Sequence, residues 1–142
     1  MTDRTGGCAC GAVRFKVSAE PITVAVCVCH CTDCQKASGG PPNYVALVPK
    51  TAFEVTKGEA RTYVVRGGSG AEIGRAFCPE CGTPLWAVPA EAPFVPVKLG
   101  AFDDSGDLTP SVHIYAASAP PWHLKHEGTA VFETFPPAPP PT

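Results

Sequence analysis

The chain has 142 residues, with 11 basic and 13 acidic side chains spread along it and a formal charge of −2. No Lys/Arg cluster offers a footprint for nucleic acid or an anionic membrane, and the longest apolar run, around Ile22 to Cys29, is far too short to span a bilayer. That length fits one domain with a modest core.

The opening residues, Met1 to Gly7, lack the apolar stretch of a secretory signal, so the expected location is the cytoplasm, where thiols stay reduced. Val13-Arg14-Phe15-Lys16-Val17 alternates apolar and basic residues, the pattern of a half-buried strand. Glu20-Pro21 reads as a turn and Ile22 to Cys29 as a more buried strand. Thr32 to Ala37 is the one candidate helical turn, ended by Gly39-Gly40. Further strands are expected at Asn43–Val48, Phe53–Val55, Thr62–Val65, Ile73–Phe77, Leu85–Val88, Val95–Leu99 and Val112–Tyr115. Gly67-Gly68-Ser69-Gly70 lacks the Lys-Ser/Thr and following helix of a phosphate-binding loop, and reads as a hairpin tip. Asp103-Asp104 before Ser105-Gly106 reads as a turn. Short, regularly spaced strands with little helix, in a chain broken by 17 prolines and 14 glycines, predict an all-β domain of packed antiparallel sheets over 1–135. The Pro-rich tail, 136–142, lacks the backbone donors to join a sheet and is expected to be disordered.

Eight cysteines carry the chemistry. A disulfide framework would suit a secreted protein, whereas C-x-C and C-x-x-C spacings in a chain without a signal suit metal binding. Cys8 and Cys10, with Cys78 and Cys81, bring two tight pairs from distant segments. The glycines that follow, Gly11 and Gly82, permit the backbone bends that aim both sulfurs inward. Four thiolates close a tetrahedron, which describes a structural zinc. Cys27, Cys29, Cys31 and Cys34 fall within eight residues. Cys29, Cys31 and Cys34 as three ligands would leave a fourth position for water or substrate, as in a catalytic zinc. Cys27 is a candidate fourth ligand, because alternation puts its thiol on the face of Cys29 and Cys31, and would close the site. His30 points to the opposite face and reads as a partnered core or surface histidine. His113, His123 and His126 have no ligand spacing and read the same way.

Gly7-Cys8-Ala9-Cys10-Gly11-Ala12-Val13-Arg14-Phe15, Cys29 through Lys36 with Ser38-Gly39, and Phe77 through Trp86 resemble three motifs of the glutathione-dependent formaldehyde-activating enzyme family, also called the GFA/centromere protein V-type domain. Gly100 to Asp104, Pro110 to Tyr115 and Pro121-Trp122 are similar to its C-terminal landmarks. The resemblance implies an Mss4-like (β-tent) all-β fold with two zinc ions: Cys8, Cys10, Cys78 and Cys81 hold the structural one, and Cys29, Cys31 and Cys34 the catalytic one. It implies a carbon–sulfur lyase acting on thiol–aldehyde adducts such as S-hydroxymethylglutathione, with a small thiol, glutathione among them, as partner. Two positions depart from the family pattern. Cys27 stands where an ordinary strand residue is usual, and Ala119 where many members carry a basic residue that would suit an anionic thiol. The general base is unassigned, with His30, His113 and Asp103 as candidates. A non-catalytic zinc-stabilised binding module is the alternative. A redox role for Cys31/Cys34 lacks the βαβ frame that usually accompanies it.

Overall fold

The alternating segments form sheets in the computed structural model, which describes residues 3–18, 25–67, 70–89 and 92–135. The all-β expectation holds, with a single α-helix among the described residues. The tail expectation for 136–142 lies outside them. No helix among the described residues is long and apolar enough to cross a membrane. The chain forms two compact units, Met1–Ala25 with Val45–Leu108, and Val26–Tyr44 with Thr109–Thr142.

In the first unit, β1 (Arg4–Gly7) and β2 (Arg14–Val17) make an antiparallel hairpin that pairs Gly7 with Arg14. β2 also pairs with β5 (Phe53–Lys57), giving the order β1-β2-β5. β1 has no apolar alternation, and its Arg-Thr-Gly-Gly sequence gives no strand signal. Its placement rests on close approach: a Cβ on Gly6 would lie 2.5 Å from the Phe15 ring and 2.2 Å from the Ala101 carbonyl oxygen. β4 (Asn43–Pro49), β9 (Phe94–Lys98), β8 (Pro84–Pro89), β7 (Glu72–Phe77) and β6 (Arg61–Arg66) follow one another antiparallel, with β4 belonging to this unit from Val45 onward. The core of the unit is aromatic. Phe15 meets Trp86 and Phe102 edge-on at 6.1 and 5.5 Å, and Phe53 meets Trp86 at 5.0 Å. Val13, Val17, Val48, Leu85 and Val97 fill the remainder.

The second unit is built on β10 (Pro110–Ile114), which lies between β3 (Ala25–Cys29) and β11 (Ala130–Val131) and runs parallel to both. Alternation along a strand does not encode this parallel pairing. α1 (Thr32–Ser38) begins just after β3 and ends at Gly39, whose left-handed backbone (φ 84°) caps it. Buried Val26 and Val28 supply apolar packing, but three histidines, His30, His113 and His123, occupy the interior as well.

Candidate metal centres

Each pair of the four-cysteine group sits in a six-residue hairpin loop of the first unit. Cys8 to Val13 joins β1 to β2, and Cys78 to Thr83 joins β7 to β8. The loops close in the same way: Cys8 N–H donates to the Val13 carbonyl at 3.1 Å, and Cys78 N–H to the Thr83 carbonyl at 3.0 Å. Gly11 (φ 81°) and Gly82 (φ 78°) take the left-handed bend expected of them. Backbone N–H groups of Val13 and Glu80 then point at the sulfurs of Cys8 and Cys78, at 3.2 and 3.4 Å. The Ala9 N–H donates to the Thr83 hydroxyl at 3.1 Å and ties the loops together. The Cys81 thiol, 3.1 Å from that hydroxyl, is pulled down to about 5, mainly by hydrogen bonds from the Thr83 side chain and backbone. The four sulfurs lie within 4.8 Å of one another and can hold a metal ion.

The second group is assembled from a strand end and a helix start. Cys29 closes β3, Cys31 is the N-cap of α1, and Cys34 lies in its first turn. The Cys31 sulfur accepts the Cys34 N–H at 3.2 Å, so capping aims the two sulfurs together. The buried Asn43 amide donates to the Cys34 sulfur at 3.7 Å. Cys29, Cys31 and Cys34 also lie within 4.8 Å of one another, and Cys27 is not one of this group. Crowding by the Cys31 and Cys34 sulfurs, with burial, pushes the Cys29 thiol up, so ionising the group calls for a cation among the sulfurs. Burial first, then the charge of Cys34, pushes the Cys27 thiol up to about 12.

Behind the triad runs a chain of histidines that sequence reasoning did not join, since the rings come from positions more than 80 residues apart. His30 Nδ1 meets His123 Nδ1 at 2.9 Å, and His30 Nε2 meets His113 Nδ1 at 2.7 Å. His123 Nε2 faces the Gly40 carbonyl at 2.9 Å, while the His126 backbone N–H donates to His113 Nε2 at 3.1 Å. The two ends fix every proton. A carbonyl only accepts, so His123 carries its proton on Nε2 and accepts at Nδ1. His30 therefore donates from Nδ1 and accepts at Nε2, and His113 donates from Nδ1. That leaves His113 Nε2 free to accept, which the His126 N–H requires. All three rings are neutral in one tautomer each, and a further proton would set N–H against N–H. Burial, with neighbouring rings and Lys125, pushes His30 down to about 4 and lowers His113. Both ends of the chain are backbone groups, so neither His30 nor His113 has a free lone pair to take a substrate proton.

The third candidate base is also engaged. Asp103 accepts from the Arg14 guanidinium at 2.9 Å and from Thr5 Oγ1 at 2.6 Å, which hold its carboxyl down at about 2. Asp103 and Asp104 follow a short 3-10 turn, Leu99–Ala101, and the Asp104 side chain accepts the Gly106 N–H, as a turn residue does.

One non-glycine residue with positive φ stands out among the described residues: Tyr115 (φ 54°, ψ 36°), directly after β10. Such a backbone costs on the order of 1–3 kcal/mol for a bulky side chain and persists only where its surroundings impose it.

The model of the glutathione-dependent formaldehyde-activating enzyme family matches residues 3–118. A Halomonas elongata protein, provisionally named as a glutathione-dependent formaldehyde-activating enzyme, is 29% identical over 131 residues, covering 82% of this chain and 77% of that protein. A Rhodobacter sphaeroides protein of known crystal structure shares the fold with a TM-score of 0.56 at 18% identity, covering 90% of this chain and 98% of that one. The family match takes in both cysteine groups and extends well past half of the chain, and the chain belongs to the glutathione-dependent formaldehyde-activating enzyme family.

Proposed function

We propose that this protein is a zinc-dependent carbon–sulfur lyase that makes and cleaves thiol–aldehyde adducts of the S-hydroxymethylglutathione type. The observation that carries the reading is the unequal number of sulfurs: four in one group and three in the other. All-sulfur donor sets favour zinc over harder cations. A tetrahedral zinc with bonds of about 2.3 Å sets its sulfurs about 3.8 Å apart. The Cys8–Cys10 and Cys10–Cys78 separations are 3.6 and 3.8 Å. Cys8, Cys10, Cys78 and Cys81 would hold one ion with no position to spare, and Cys29, Cys31 and Cys34 would hold the other with one position open.

Zinc at the triad would supply a soft site that keeps an incoming thiol in its nucleophilic, deprotonated form at neutral pH. Around it, Cys29 is anchored by the strand pairing of β3, Cys31 by its cap, and Cys34 by Asn43. In the forward direction a sulfur–carbon bond forms and the carbonyl π pair becomes a lone pair on oxygen. That oxygen takes up one proton as the thiol releases one. Cleavage reverses each change, and nothing is oxidised or reduced. The sealed histidine chain leaves proton exchange to solvent. Glutathione as the thiol rests on the family description and on the name of the Halomonas relative.

The test measures zinc per chain, thiols open to alkylation, and acceleration of glutathione–formaldehyde exchange by magnetisation-transfer NMR. Two zinc ions, a Cys27 thiol that resists alkylation because it is buried, and acceleration that disappears in Cys29→Ser are expected. Two zinc ions without any acceleration would favour a zinc-stabilised binding module. The exposed Trp122 and Leu124 side chains are the observation that favours that second reading.

A further inference from the structure

We infer that the Tyr115 hydroxyl donates a hydrogen bond to an oxygen of the thiol ligand at the three-cysteine group, making Tyr115 a specificity-determining residue of that site. The inference rests on the open position proposed above. Four observations converge on it. β10 registers Ile114 opposite Cys29, and the His30 N–H donates to the Ile114 carbonyl at 3.0 Å, so Tyr115 leaves the sheet where Cys29 does. Its left-handed backbone is imposed from several sides. The Tyr115 N–H donates to the Thr134 carbonyl at 3.1 Å, the Ser118 N–H to the Tyr115 carbonyl at 3.0 Å, and the Ala116 N–H to the Phe132 carbonyl at 3.0 Å. The Phe135 ring meets the Tyr115 ring edge-on at 5.0 Å. This fixed, half-buried ring carries a hydroxyl with no hydrogen-bond partner among the described residues, although His30, His113 and His123 of the same unit each use both ring nitrogens.

The electrostatics agree with the placement that the Ile114–Cys29 register gives. Burial first, then the charges of Cys29, Cys31 and Cys34, raise the Tyr115 phenol. A phenol so placed stays protonated at neutral pH and acts as a donor. An adduct of a thiol and an aldehyde has its hydroxyl one carbon from sulfur, and a ligand seated by its sulfur would present that oxygen to a nearby donor. Tyr115 would thereby distinguish hydroxyl-bearing thiol adducts from plain alkyl thiols. Elsewhere on the ligand it requires nothing, which allows thiols smaller than glutathione.

The experiment uses full-length protein loaded with cobalt(II) in place of zinc, and reads the thiolate-to-metal absorption as 2-mercaptoethanol or 1-propanethiol is added. Wild type is expected to bind 2-mercaptoethanol about ten-fold more tightly than 1-propanethiol, the scale of one neutral hydrogen bond. Tyr115→Phe keeps the ring and its Phe135 contact, and is expected to abolish that preference while metal content and propanethiol affinity stay unchanged. An equal preference in wild type and Tyr115→Phe would overturn the assignment, as would no spectral response to either thiol. Glutathione–formaldehyde exchange is assayed separately. Thiol binding with the Tyr115-dependent preference but no exchange would overturn the lyase reading and leave the assignment of Tyr115 standing. Exchange equal in the two proteins with no thiol preference would do the reverse.

Discussion

The two cysteine groups solve different problems with the same atom. In the first unit, two hairpin loops with matching closures each present a pair of sulfurs, and each loop is held by its own backbone hydrogen bonds and a left-handed glycine. In the second, the sulfurs come from a strand end, a helix cap and a helix turn within six residues of chain, and the support comes from Asn43 and a buried run of histidines. A group that joins distant segments gains from filling every coordination position, because it then acts as a crosslink. A local group already held by its own backbone can leave a position unfilled. Completeness follows from how much chain a site must hold together.

The sharpest way to break this comparison is to remove one sulfur from each group. Cys81→Ser is expected to unfold the protein, since zinc binding to a structural site is worth on the order of 10 kcal/mol, comparable to a whole domain's stability. Cys29→Ser is expected to lose activity with its fold intact. Circular dichroism and metal analysis decide it, and equal unfolding of the two variants would refute the division of roles.

A smaller effect is expected behind the triad. His30→Ala removes the middle ring and strands the Nδ1 atoms of His113 and His123, at a cost of about 2–3 kcal/mol measured by urea unfolding. The pH dependence has a definite sign. His30, pushed down to about 4, and His113, also lowered, bind fewer protons when folded than free histidines with values near 6.5. Their contribution is therefore complete above about pH 6.5 and is lost as pH falls from there toward 4. Urea midpoints from pH 7.5 down to 5 should decline in wild type and decline less in His30→Ala.

Cys27 sharpens the comparison without breaking it. Its buried, raised thiol behaves as a small apolar side chain, so Cys27→Val is expected to change stability by less than about 1.5 kcal/mol and leave metal content unchanged. Loss of one metal ion per chain in that variant would mean that Cys27 completes a second four-sulfur site.

The smallest effect is expected at the surface of the first unit. Asp103→Asn weakens an exposed pair with Arg14, worth under about 1 kcal/mol. The carboxyl is depressed to about 2 against a free value near 3.9, so its contribution is present above about pH 4 and fades as pH falls toward 2. A difference between wild type and variant that persisted unchanged at pH 2 would refute the pairing.

Much of this was legible in the sequence because it is local. Two-residue alternation located β2 and β7 closely, and Pro84 and Pro89 bracket the expected Leu85–Val88 strand in β8. Cysteine spacing, with the glycine after each pair, determined which thiols could converge and where the backbone must bend. A C-x-x-C followed by a Gly-Gly pair located both ends of α1. By contrast, β1 and the two-residue β11 were missed: the first because glycines, not apolar alternation, let it lie against Phe15, the second because two residues hold no period. Tyr115 was expected to continue the strand, since φ > 0 in a tyrosine is imposed by Thr134, Phe132 and Ser118 rather than by its own preference.

By itself, then, the sequence determined most of the strands, the family and, apart from the place of Cys27, the two sets of sulfurs, most of which depends on spacing within a few residues. The tertiary structure decided what surrounds the triad. His30, His113 and His123 meet only when β10 lies alongside β3 and the segment after it folds back, and only then do a carbonyl and an N–H at the two ends fix where each proton resides. Hydrogen bonds of under 3 Å between residues more than 80 positions apart leave no periodic trace in a sequence.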